Sequence, residues 1–254
     1  MRSPGLVSMM LVFALSLVAP PPASAATVDT LAALAGRWHC TDNRGSSTER
    51  YYALFPTSAA RVDIARTLYG REDAVEPDGS PSESFERIQQ RNDGTASIES
   101  VEGTGTARST STAPLSFVGN GPSGNMTLTY AIDSEDMQRT VSESKTTSSE
   151  RCTRVAEKRF DASCAQPNMP ATVLHAEEPE WPSGALAGMR GIVYVVIVLD
   201  ERSRILWTDI AKSDNSVFDE EAARAARLSK YRTEVKNCKP VAARYVFSVS
   251  FGGH

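Results

Sequence analysis

The chain has 254 residues, 41% of them hydrophobic, enough for one large or two small globular domains. It carries 27 basic and 31 acidic residues, with no basic patch and no arginine-rich helix. That balance excludes nucleic acid as an expected partner and argues against tight adhesion to an anionic membrane surface.

The first segment is expected to be a targeting sequence. Residues 1–25 have the layout of a cleaved secretory signal: Arg2, a mostly apolar stretch from Leu6 to Ala19, the break at Pro20-Pro-Pro22, and small residues at Ala23-Ser24-Ala25. The apolar run is shorter than the roughly 20 residues of a membrane span. A retained inner-membrane anchor is the alternative. The mature chain is expected in the periplasm or secreted. An oxidising compartment favours disulfides among Cys40, Cys152, Cys164 and Cys238, and four cysteines allow three pairings. None has CxxC spacing, and only His39, His175 and His254 accompany them, so neither a metal site nor a redox pair nor any cofactor is expected.

Composition then divides the chain near residues 156–163, giving residues 26–157 and 158–254 as two domains. The first is rich in Ser, Thr and Gly. A short helical pattern, Val28–Leu34, leads into a strand at Gly36-Arg37-Trp38-His39-Cys40. Further strands are predicted at Glu49–Phe55, Arg61–Leu68, Ser84–Gln90, Ala96–Glu102, Leu115–Val118, Met126–Ile132, Arg139–Ser144 and Arg151–Val155. Turn signals separate them, among them Asn43-Arg-Gly45, Pro77-Asp-Gly79, Asn92-Asp-Gly94 and Gly119–Gly124. About eight such strands imply an antiparallel meander that closes into an up-and-down barrel.

Gly36-x-Trp38 at the head of the first strand resembles the lipocalin-like (calycin) barrels. That resemblance implies a Trp at the closed end, covered by a basic residue from the last strand, for which Arg154 is available. Antiparallel pairing of the first and last strands that sets Trp38 opposite Arg154 also sets Cys40 opposite Cys152, on the same sheet face. A Cys40–Cys152 bond would then seal the barrel. The interior is expected either to be filled by side chains or to hold a small apolar ligand.

The second domain carries the stronger pattern. Gly191–Leu199 is β-branched almost throughout, so one face packs on a helix and the other is at least partly covered. Asp200-Glu-Arg-Ser203 suits a hairpin, followed by a strand from Ile205. A helix opens at Phe218-Asp219, with Asp219, Glu220 and Glu221 at its positive end. Ala222, Ala225, Ala226 and Ser229 give it a thin stripe, suited to lying close on a sheet. In the closing strand, Tyr245, Phe247, Val249 and Phe251 alternate with Val246, Ser248 and Ser250.

The order and spacing resemble the TonB C-terminal domain family over roughly residues 164–251. Pro179-x-Trp181-Pro182, Gly191-x-Val193-x-Val195, Asp200, Ser213, Phe218-Asp219 and Pro240 carry the resemblance. With it, the fold class is α+β: an N-terminal antiparallel β-barrel or barrel-like domain, then a small ββαβ domain. The resemblance places Cys164 and Cys238 at the borders of this module, and pairing them staples it. It implies a three-stranded sheet whose open edge, Arg244, Tyr245, Val246, Phe247, Ser248, Val249, Ser250 and Phe251, captures an extended peptide from a periplasmic or outer-membrane protein. Homodimerisation through that edge is a further expectation. The long Pro-rich spacer of a TonB transducer has no counterpart in the sequence, so energy coupling is the less expected part of the resemblance.

No catalytic constellation emerges. Gly103-Thr-Gly-Thr106 and Gly119–Gly124 lack a P-loop lysine, there is no Gly-x-Ser-x-Gly elbow, and His39 should point away from Trp38 toward solvent. The expectation is a non-enzymatic binding protein.

Overall fold

The computed structural model describes residues 30–56, 64–75, 79–92, 95–102, 105–113, 115–121, 124–144, 146–157 and 164–252. The expected signal segment, residues 158–163 at the expected domain border, and His254 lie outside the described residues.

A short helix, α1 (Thr30–Leu34), precedes a closed barrel. Its strands are β1 (Gly36–Asp42), β2 (Ser47–Pro56), β3 (Ile64–Val75), β4 (Pro81–Arg91), β5 (Ala96–Glu102), β6 (Gly105–Ala113), β7 (Ser116–Gly121), β8 (Gly124–Asp133), β9 (Asp136–Glu143) and β10 (Thr146–Arg154). Each pairs antiparallel with its sequence neighbours, and β1 closes on β10. The barrel has ten strands rather than about eight: the nine runs named from the sequence and one more. The additional strand β6 is made largely of Thr, Ser and Ala and shows no apolar alternation to announce it. The strand expected at Arg61–Leu68 runs instead over Ile64–Val75, since its polar second half stays paired with β2 and β4.

The β1–β2 hairpin turns because the Asp42 carboxylate accepts from the backbone N–H groups of Arg44 and Ser46, each at 2.8 Å. Inside, Trp38, Leu68, Ile88, Ile98, Phe117, Leu128 and Met137 are buried around the Cys40–Cys152 disulfide. Leu31 and Leu34 of α1 join that core.

The second body is built on a three-stranded sheet in the order β13 (Ile205–Ser213), β12 (Gly191–Leu199), β17 (Ala243–Phe251). Helix α2 (Asp219–Leu228) buries Ala222, Ala225 and Ala226. Two of these, Ala222 and Ala226, meet Val193, Val195, Ile197, Phe247 and Val249. Alanines at the contact let helix and sheet approach closely. Short strands accompany this sheet: β11 (Thr172–His175) pairs with β14 (Lys230–Arg232), and β15 (Glu234–Lys236) pairs with β16 (Lys239–Val241). These lie beyond the simple ββαβ outline expected from sequence. The Cys164–Cys238 disulfide ties the start of this body to the β15–β16 turn. Among the described residues no helix is long and apolar enough to cross a membrane.

Candidate functional site

The β17 edge follows from strand geometry. Asp214 N–H donates to the Ile192 carbonyl at 3.1 Å, so the Ile192 backbone faces β13. Backbone groups alternate sides along a strand, so the odd-numbered residues of β12 face β17. The β12–β17 register is unbroken, with Val193 opposite Val249 and Val195 opposite Phe247. Tyr245, Phe247, Val249 and Phe251 therefore bond to β12. The backbone groups of Arg244, Val246, Ser248 and Ser250 face away from it, along an edge with no strand partner among the described residues. Side chains sort by the same parity. Phe247, Val249 and Phe251 are buried, whereas Val246, Ser248 and Ser250 are exposed.

The second face of this sheet is covered by the barrel at its Val196–Val198 end, while Val246, Ser248 and Ser250 on the same face stay exposed. Val196 and Val198 pack with Leu206, Trp207 and Ala242 against Tyr51, Ala53 and Phe55 of β2 and Tyr69 of β3. Arginines frame this apolar contact. Arg87 bonds Asp209 at 2.9 Å and lies 4.6 Å from the Trp207 ring centre. Arg71 donates to the Ile205 carbonyl at 3.1 Å, Arg204 joins Asp73, and Arg37 joins Glu201 at 2.7 Å. Arg244 donates to the Pro56 carbonyl at 3.4 Å and lies 4.8 Å from the centre of the Phe55 ring. The start of the edge strand is thus fastened to the barrel.

The expected closure residues come together at the α1 end. Trp38 is opposite Arg154, whose guanidinium carbon sits 4.1 Å from the Trp38 ring centre. Arg154 donates to the carbonyls of Ala33 and Ala35, each at 2.7 Å, and of Ser134 at 3.3 Å. Trp38 Nε1 donates to Leu34 O at 2.8 Å. Gly36 has φ +119°, and a Cβ there would lie 2.8 Å from Arg154 Nη1, so a side chain would displace the Arg154 guanidinium.

An ionic cluster inside the barrel gave no sequence signal, because its charges look like ordinary surface charges on strands. The register carries the inward face from Trp38 to Arg50, Glu72 and Ser84. Glu150 accepts from Arg50 Nε at 3.0 Å, and Glu72 lies 2.8 Å from Arg50 Nη2. Glu86 accepts from Tyr52 at 2.8 Å, Tyr130 at 2.7 Å and Arg139 at 2.8 Å. Burial pushes the Glu86 carboxyl up, but Arg139, Arg50 and the two tyrosine hydroxyls outweigh it and hold its pKa at about 2. Gly70 makes room for this arrangement, since a Cβ there would lie 2.5 Å from the Tyr52 ring.

A cleft of about 880 Å³ opens between the two bodies at the α1 end. Tyr51, Leu54, Phe55, Pro240 and Ala242 give it apolar wall, and Arg37, Arg154, Arg202 and Lys239 bring positive charge. Glu135, Glu157 and Glu201 also line it. Of the potential metal-ligating groups, Cys40, Glu150 and Cys152 lie together, but the two sulfurs are bonded to each other and offer no thiolate.

The second body is a small helix-backed sheet with an open edge, a module suited to protein contact. Residues 177–252 match the family of the Gram-negative bacterial TonB protein C-terminal. The match covers under a third of the chain and leaves the barrel unassigned. No curated protein matches the chain.

Proposed function

We propose that this is an exported periplasmic, non-enzymatic adaptor of the TonB type, linked to outer-membrane transport. It captures an extended segment of a periplasmic or outer-membrane protein as an added strand on β17. One observation carries the reading: Arg244, Val246, Ser248 and Ser250 turn their backbone groups outward on an edge unpaired among the described residues, in the domain that matches the TonB family. Main-chain bonds of this kind supply affinity, and alternate side chains supply choice. Two disulfides and a family of envelope proteins favour the extracytoplasmic location.

Proline substitution tests it. Val246→Pro and Ser248→Pro each remove an outward donor without removing a β12–β17 bond, a position where strands tolerate proline. Either variant should weaken capture of extended outer-membrane-protein peptides by roughly tenfold or more, which is about 1.4 kcal/mol, with circular dichroism unchanged. Binding indifferent to both substitutions overturns the proposal. The ligand-carrier alternative draws less support, because Trp38, Phe117, Leu128 and the Arg50–Glu86–Arg139 cluster occupy the barrel interior.

A further inference from the structure

The cleft stands at one end of the β17 edge. Ala242 lines it and immediately precedes the strand, and Arg244 is bonded to Pro56, the neighbour of the lining residue Phe55. A strand added to β17 and continued past Arg244 therefore leaves the edge where the cleft begins. At about 880 Å³ the cleft is within the range of sites that enclose a ligand, roughly 300–1,000 Å³.

Its charges are unevenly matched. Arg37 is paired with Glu201, and Lys239 with Glu157. Arg154 donates to three carbonyls and lies over the Trp38 ring, with no carboxylate partner among the described residues. Among the described residues the Arg202 guanidinium meets Glu49 alone, at 3.5 Å. Arg37 Nη1 is buried in the wall with no hydrogen-bond acceptor among the described residues, 3.7 Å from Glu49. Glu135 joins Glu201 and Glu157, the partners of Arg37 and Lys239, as the opposing charges on the wall.

We infer that the cleft is a second subsite of the strand-binding edge. It receives the flank of the captured segment, an apolar residue against Leu54, Phe55 and Pro240 followed by acidic side chains toward Arg154 and Arg202. The inference rests on strand addition at β17. The captured strand's direction decides which flank enters: its C-terminal side if it runs antiparallel to β17, its N-terminal side if parallel.

The test uses the full chain and three synthetic probes, read by fluorescence anisotropy. One is a blocked heptapeptide of alternating Thr and Val. The others carry Leu-Asp-Asp added after its C-terminus or Asp-Asp-Leu added before its N-terminus. One extended probe, and only one, should bind about tenfold tighter than the heptapeptide, and added salt should shrink that gain. In the Arg202→Glu/Lys239→Glu variant the gain should vanish. Equal gain from both extensions, gain from neither, or a gain that survives the variant overturns the cleft subsite. If the heptapeptide itself fails to bind, strand addition fails first, and the subsite falls with it.

Discussion

In the barrel, β1 finds β10 and every strand has two neighbours, whereas among the described residues β17 borders the C-terminal sheet with only β12 beside it. The interiors differ as sharply. The barrel encloses a cross-braced cluster of two arginines and three glutamates, while the core between α2 and its sheet is aliphatic and aromatic. The closed body tolerates buried charge because each carboxylate in it has several donors, and closure leaves no strand edge for another chain to use. The open body keeps an edge available and relies on close apolar packing, with the barrel as a backing plate.

The strongest way to break this contrast is at Glu86. Replacing it by Ala leaves Arg139 and Arg50 facing each other inside the barrel with one fewer carboxylate. We expect a loss of ~3–5 kcal/mol, the cost of breaking a buried pair, measured by chemical denaturation. A loss under ~1 kcal/mol would mean that the cluster is hydrated and the barrel is open to water.

Acid should act on the same group. The folded pKa of Glu86 is about 2 against an ordinary 4.5. A carboxyl depressed on folding stabilises above its unfolded value and loses that contribution as pH falls. The window is thus pH 4.5 down to about 2, worth on the order of 3 kcal/mol. Denaturation midpoints across that window should fall steeply for the parent chain and less steeply for Glu86→Gln.

In the open body the sensitive quantity is size. Ala226 is fully buried where α2 meets the sheet. Ala226→Leu should overpack that contact and cost ~1–3 kcal/mol, read as a lower thermal midpoint. A neutral result would show that α2 can ride outward.

Legibility in the sequence follows the same divide. The C-terminal sheet is readable because β12 is apolar on both faces, β17 alternates large apolar with small residues, and the helix is marked by alanines at helical spacing. The pairing of Trp38 with Arg154, and of Cys40 with Cys152, is readable because antiparallel register is a constant sum of residue numbers. Strand β6 is not, since Thr and Ser on both faces give no period. Arg50, Glu72, Glu86, Arg139 and Glu150 are not, because an inward charge on a strand is distinguishable from an outward one only once its neighbour's face is known. The double-sided apolar character of Val196 and Val198 shows that something covers the sheet, but not that the barrel does. That requires Arg87, Arg71 and Arg204 to meet Asp209, Ile205 and Asp73 across distances of more than a hundred residues.

The smallest expected effect concerns that covering contact. Arg87 touches Asp209, whose side chain is half exposed, and also lies over Trp207. An ion pair with one exposed partner is worth about 0.2–1 kcal/mol, while a guanidinium over a partly buried indole contributes about 0.5–2 kcal/mol. Double-mutant cycles of Arg87→Ala with Asp209→Ala and with Trp207→Ala should therefore give the larger coupling for Trp207. Raising the salt concentration should erode the Asp209 coupling first. The reverse order would make the contact between the two bodies primarily electrostatic, so that ionic strength alone could loosen the barrel from the sheet it backs.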